Sequence, residues 1–534
     1  MAPHHDAIAS SPTGDSKDLP PPHSSDSDID IEADLSPSNS DPPSPETISR
    51  IYRTLDLRIL PPLWTLYFLC SAIRSNVGLA QTMNIDTSHD LPTTLNLTPH
   101  QISTALALFY VCYVLFDLPS NLIMTRLAPH IWLSRIVISV GVIGACMAAM
   151  KAAWSLYLLR LLLGIVIAGM WPGMAYYLTL FYPPSRTGKR IGMYFTAAQV
   201  SAAVVGLVSA GFQKMDGLAG LLGWQWMFLL YGLVGIIVGF ALIWWLPDRP
   251  VIPGQEAEQR KGYFNNLIPR GKPVLVGRDA EIHYHDLKRV YQRSQWTMRD
   301  VANVLMDWRL WPLTIMYFGV VGVGIGVQSY GTVIISGINP DLTGVQLSLL
   351  FAPIWIMDLL AILLITPLSD RFHHHRPLFF SLPVLLQIAG LLLTTFAKSW
   401  ASYTGLLLIG FGLGPTVPIT MTWTAELFQP RHGEVGVAAA CAVVSGLGNL
   451  GSILTTYALY EGWRGPGGEE GAGRNSNFVM VGILGGSLVA AVLMGVLVRV
   501  VDGKKGGGGE GVDGAAERER EQRGLKGLWF GGKK

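Results

Sequence analysis

Apolar residues come in blocks of roughly twenty along this chain, and short polar stretches between the blocks carry most of the arginines. A helix of about twenty residues crosses the ~30 Å hydrocarbon core of a bilayer. The blocks are continuous rather than alternating, which fits helices and not the strands of a membrane barrel. The pattern predicts about twelve spans, near 59–80, 102–124, 132–150, 156–180, 191–212, 225–246, 310–335, 345–366, 377–397, 401–424, 434–460 and 477–500. A polar loop from Pro247 to Trp308 separates the sixth span from the seventh.

The short loops set an orientation. Those after even-numbered spans hold Arg126 and Arg135, then Arg186, Lys189 and Arg190, then Arg371 and Arg376, then Arg431, whereas 81–101 has no Lys or Arg. Basic loops stay in the cytoplasm, so both termini are expected there. The organisation predicted is a disordered cytoplasmic tail (1–48), a six-helix bundle (55–246), a cytoplasmic central loop (247–308), a second six-helix bundle (309–501) and a cytoplasmic tail (502–534). The two bundles repeat. Arg371 follows Arg126 by 245 positions, as Arg431 follows Arg186 and Gly433 follows Gly188. PSNLIMTRL and TPLSDRF close spans two and eight, and RTGKRIG and RHGEVGV precede spans five and eleven. Six spans repeated in one orientation is the parallel-repeat architecture of major facilitator transporters.

Composition agrees. Of 534 residues 50% are hydrophobic and 14% charged, with mean hydropathy +0.37, against about 25% charged in soluble domains. That excludes a soluble enzyme, and a net charge of +2 gives no nucleic-acid footprint. Cys70, Cys112, Cys146 and Cys441 all lie in apolar blocks without a CxxC pair, so they read as packing residues. No nucleophile–base pair, metal-ligand set or phosphate loop is present, so no catalytic residue, metal or cofactor is expected.

The chemistry lies in charges inside the spans, which are costly and usually face a cavity. In LCSAIRSNVGLAQ, Arg74 sits six residues from the end of span one, roughly 9 Å deep, and Arg160 sits four residues into span four, roughly 6 Å deep. Two planar donor forks with no neighbouring acid suggest an anionic substrate. Arg74, Asn76, Arg160, Gln328, Tyr330 and Asn449 are the candidate binding residues, with Gln199 a further polar position; these amides also serve simply to bond helices together. Asp358, at mid-depth in span eight, is the candidate proton carrier. Asp117, Arg126, Arg186, Asp370, Arg371, Glu426 and Arg431 read as gate or conformational positions near the cytoplasmic ends. The expected partners are a small anion, protons and the bilayer, with the chain a monomer.

YVLFDLPSNLIMTRLAPHIWLSR, RLLLGIVIAGMWPGMAYYLTLFYPPSRTGKRIGMYFTAAQ, LSDRFHHHRP and GLGNLGSI resemble the fungal allantoate permease family, in the anion:cation symporter branch of the major facilitator superfamily, over Leu55 to about Val501. Within it, AAQVSAAVVGLVSAGFQKMDG, YFGVVGVGIGVQSYGTVI and FQPRHGEVGVAAA are similar to the alternative sulfate transporters. The resemblance implies an all-α membrane protein that takes up sulfate, or a related sulfur oxyanion such as sulfite or thiosulfate, across the plasma membrane with protons. It carries anion binding onto Arg74 and Arg160. The chain departs from the family where an acid precedes the span-one arginine, here Ile73, and where span four carries a glutamate, here Ile167. The alternatives are a permease for an organic anion or vitamin (nicotinate, pantothenate, allantoate) and a non-transporting nutrient sensor.

Overall fold

The computed structural model describes residues 44–250, 273–288, 298–339, 341–372, 375–397, 400–459 and 469–506. Both predicted tails lie almost wholly outside them, as does much of the central loop. Residues 1–48 form a unit of their own, of which only the first turn of α1 is described; all that follows concerns 49–534.

The described residues are helical, without strands. The first half comprises α1 (Pro45–Ala80), α2 (Pro99–Arg126), α3 (Pro129–Met147), α4 (Ala153–Ile167), α5 (Met170–Thr179), α6 (Pro184–Gln213) and α7 (Gly223–Trp245). Two helices of the central loop follow, α8 (Arg278–Lys288) and α9 (Met298–Met306). The second half comprises α10 (Leu310–Ile338), α11 (Gly344–Arg371), α12 (Arg376–Phe396), α13 (Trp400–Leu413), α14 (Thr416–Gly448), α15 (Leu450–Ile453) and α16 (Glu469–Gly506). Eleven described stretches are long and apolar enough to cross a membrane. α1 is the remaining long helix. Arg74, Ser75 and Asn76 interrupt its apolar run, Ile59, Leu63 and Leu66 are fully buried, and Leu57 near its start is exposed.

Two caps and two backbone breaks shape the predicted spans. Thr98 and Thr343 each open a helix with a reciprocal capping box to the glutamine three residues on. Gly169, at φ +81, divides predicted span four into α4 and α5, and α14 carries predicted spans ten and eleven through a kink at Gly433, φ +62. Pairing follows the repeat: α3 packs on α7 as α12 packs on α16, and α2 on α4 as α11 on α13. Small residues permit the closest of these crossings; a methyl group on Gly141 would lie 2.7 Å from the Ile236 amide. The halves meet along two seams, α6 with α11 and α2 with α14.

Within the predicted central loop, 247–308, the described residues form two helices, α8 and α9. Ala280, His283 and Leu287 in α8 and Val301 and Val304 in α9 are buried at helical spacing, and Asp279, Glu281 and Asp300 occupy first turns, where acids favour a helix. α8 docks on the first half: Arg50 pairs with Asp279 at 3.0 Å, Tyr52 donates to Asp286 at 2.5 Å, and His283 bonds the Phe181 carbonyl at 2.8 Å. Burial holds the His283 imidazole below its ordinary pKa of 6.5, a shift that the Phe181 bond and Asp286 partly offset.

Candidate functional site

Between the two halves lies a cavity of about 80 Å³, space for on the order of six water molecules. Its wall is mostly apolar, with six aromatic rings among aliphatic side chains such as Ile167, Val321 and Leu413. Trp171 stacks on Tyr67 with ring centres 5.3 Å apart and meets Phe195 at 5.0 Å, and Tyr113, Tyr317 and Trp355 complete the ring. Its polar groups are few: Arg74 from α1, Gln199 from α6, Gln328 from α10, and Asn449 just beyond α14. Among the described residues Arg74 has no carboxylate partner; it reaches the Gln328 side-chain oxygen at 3.5 Å, and its Nε is unbonded. The indole N–H groups of Trp171 and Trp355 are also buried and unbonded. Donors thus outnumber acceptors around one guanidinium, an arrangement suited to an anion.

The two arginines do not share this cavity. Arg160 is 1% exposed and stands behind α1, where its guanidinium donates to the Arg74 carbonyl oxygen at 3.2 Å and lies 6.0 Å from the Phe109 ring. Similar depth therefore did not bring the two forks face to face. Asn76 is fully buried away from the cavity wall, with both side-chain atoms unbonded. Tyr330 lies at the end of the bundle remote from the arginine-bearing loops, sharing a 2.7 Å bond with Ser103 and donating to the Thr456 carbonyl at 2.9 Å. Asn449 donates to the Ser445 carbonyl at 2.7 Å and still lines the cavity. Ile167, at the position where the family pattern has its acid, is part of the wall.

Bonds between the halves close that remote end. Gln81 donates to the Ser329 carbonyl at 3.1 Å, the Gly344 amide to Asp86 at 3.2 Å, and Gln213 to Ser348 at 3.3 Å. α1 and α10 touch backbone to backbone here: a Cβ on Gly78 would lie 2.7 Å from the Gln328 carbonyl oxygen.

At the arginine-bearing end the hub is a residue the sequence reading placed only in a loop. Arg376, 2% exposed, donates to Glu426 at 2.5 and 2.8 Å, to Asp370 at 3.2 Å and to Ser369 at 3.4 Å. Asp370 and Glu426 thus belong to one ion cluster joining α11, α12 and α14. Arg371 is exposed beside it. Arg431 is exposed and bonds its own helix at Leu427, and Arg186 lies 4.4 Å over the Tyr52 ring. The side chain of Arg126 is outside the described residues. Asp117 and Asp358 are both fully buried, each against a helix break.

Two helical halves around a central, anion-suited cavity, closed at one end, define a polytopic membrane transporter. The chain belongs to the Major Facilitator Superfamily, whose family pattern matches residues 63–456. It is 42% identical to Vitamin H transporter 1 of Schizosaccharomyces pombe over 90% of this chain and 85% of that one. It is 28% identical to a putative tartrate transporter of Agrobacterium vitis, over 84% and 92%. In shape it matches the inward-facing, unoccupied crystal structure of a bacterial homolog to the human lysosomal transporter Spinster, with TM-score 0.57 and 17% identity over 86% of this chain and 98% of that one.

Proposed function

We propose that this chain takes up a small organic anion bearing one carboxylate, of the vitamin type, in symport with protons across the plasma membrane. One observation carries the reading: among the described residues Arg74 is a guanidinium without a carboxylate partner, in a cavity otherwise walled by aromatic and aliphatic side chains and three amides. A single cation beside apolar faces matches a monoanion with an apolar body, whose carboxylate takes the planar fork and whose rings stack on Tyr67 and Trp171. Biotin, which is vitamin H, has that form, and the fission-yeast relative is named for it. The arginine-bearing loops are cytoplasmic in this reading, so the conformation described is closed to the outside, and rocking of the halves exposes the cavity in turn. Asp358 is the proton carrier: its carboxyl is buried with neither oxygen bonded, a setting that favours the neutral form.

Sulfate or another sulfur oxyanion is the second reading. The sequence runs that resemble alternative sulfate transporters favour it, as do the surplus of donors and the small size of the cavity. Uptake of radiolabelled biotin and of radiolabelled sulfate by yeast lacking its own carriers for both tests the choice. Saturable biotin uptake, greater in acid medium and abolished by an uncoupler, supports the first reading; sulfate uptake alone replaces it with the second.

A further inference from the structure

Two helices are interrupted at equivalent points of the repeat. α4 ends at Ile167 and α5 starts at Met170, with Gly169 at φ +81 between them. α13 ends at Leu413 and α14 starts at Thr416, with Gly414 between. Gly414 follows Gly169 by 245 positions, the spacing of the repeat. Each break is met by one buried carboxyl from the second long helix of its half, Asp117 of α2 and Asp358 of α11. The acids are not themselves equivalent; 245 positions after Asp117 stands Ile362, one turn from Asp358.

Their surroundings differ in a way that matters. Asp117 accepts the Gly169 amide at 2.7 Å, at the start of the ten-residue helix α5, where the helix dipole meets its carboxyl. Its other oxygen is buried and unbonded at the α2–α14 seam, 3.4 Å from where a Cβ on Gly446 would stand. The hydroxyl of neighbouring Ser445 is buried and unbonded as well. The titratable groups facing Asp117 are Tyr113 on its own helix, Tyr317 of α10 and Cys441 of α14, none of them a cation. Asp358 has no donor on either oxygen, and Gly414 leaves no room for one: a Cβ there would lie 2.5 Å from Oδ1.

We infer that Asp117 is a second proton-linked carboxyl, a positioning residue that sets the angle of the break at Gly169 and, through Ser445, the α2–α14 seam. As an anion it pins the first amide of α5. Taking up a proton at Oδ2 weakens that bond and turns the group into a donor toward α14, which allows the two segments of the broken helix to move against the opposite half. The inference rests on the proton-coupled reading but not on the identity of the substrate.

The test uses the full chain in proteoliposomes, with spin labels at Leu127 and Met306, which are 49% and 84% exposed on the first half and on α9. Distances are measured without substrate at pH 5.5 and pH 8. The expected result is a pH-dependent distance in the otherwise unchanged chain that is lost in Asp117→Asn, with biotin counterflow retained within about twofold while concentrative uptake falls about tenfold or more. A distance that ignores pH in the parent, or still responds to it in Asp117→Asn, overturns the inference. Should Asp117→Asn not reach the membrane, Asp117→Glu carries the test: the midpoint must move, and an unmoved midpoint overturns it. Absence of biotin counterflow in the parent would remove the substrate reading alone, because the distance measurement needs no substrate.

Discussion

The Arg160 guanidinium donates to the backbone carbonyl of Arg74, 3.2 Å away, so the two arginines meet tail to backbone and only Arg74 faces the cavity. Arg160 thereby braces the helix turn that carries Arg74, and the two residues should fail differently. Arg74→Lys keeps the charge and loses the fork; uptake should fall by on the order of tenfold or more at unchanged surface expression. A lysine variant that transports normally would show that the fork is not used.

Arg160→Lys should act through position. KM should rise by about tenfold with a smaller change in maximal rate, since a loosened α1 turn weakens binding before it alters the rocking step. A fall in maximal rate at constant KM would point away from this brace.

Gly78 leaves no room for a side chain. A Cβ there would lie 2.7 Å from the backbone oxygen of Gln328, and backbone cannot swing aside. Gly78→Val should therefore prevent closure of the remote end and abolish concentrative uptake, while the protein still folds and reaches the surface. Retained uptake would mean that α1 and α10 need not touch during transport.

The Arg376 cluster is structural. Replacing Glu426 by Gln removes the strongest acceptor of a nearly buried guanidinium; with Glu426 about a third exposed, the cost should be about 2–3 kcal/mol, below the full penalty for breaking a buried pair. The melting temperature of the purified protein should drop accordingly, and no drop would place the pair among ion pairs of no net worth.

His283 makes the docking of α8 sensitive to acid. Burial lowers its folded pKa, so the unfolded ring binds more protons in the window below 6.5. The stabilisation is complete above that value and is lost as pH falls from 6.5 toward the lowered folded value. Hydrogen exchange corrected for pH should show α8 protected at pH 7.5 and opened at pH 5.5. His283→Gln should remove the dependence, and equal protection at both values would contradict it.

Much of this fold was legible in the sequence, because bilayer length fixes span length and the 245-residue repeat pairs the loops. MWPGM and GPTVP stand at matching places in spans four and ten, but neither the breaks beside them nor the acids that meet those breaks are legible in the sequence. Position along a span gave the depth of Arg160 but not the side it faces, which depends on how α4 turns against α1 and α2. Arg376 is the arginine of FHHHRP and reads as one more solvated charge; its partner Glu426 is 50 residues away on another helix.

The most direct test of the central claim is competition for uptake in proteoliposomes. Radiolabelled biotin is offered with unlabelled biotin, biotin methyl ester and sulfate, in the parent chain and in Arg74→Lys. The account predicts that biotin competes, that the uncharged ester and sulfate do not, and that the lysine variant loses the distinction together with most of its uptake. An ester that competes as well as the acid, or uptake that is equal in both chains, would contradict an anion held by Arg74.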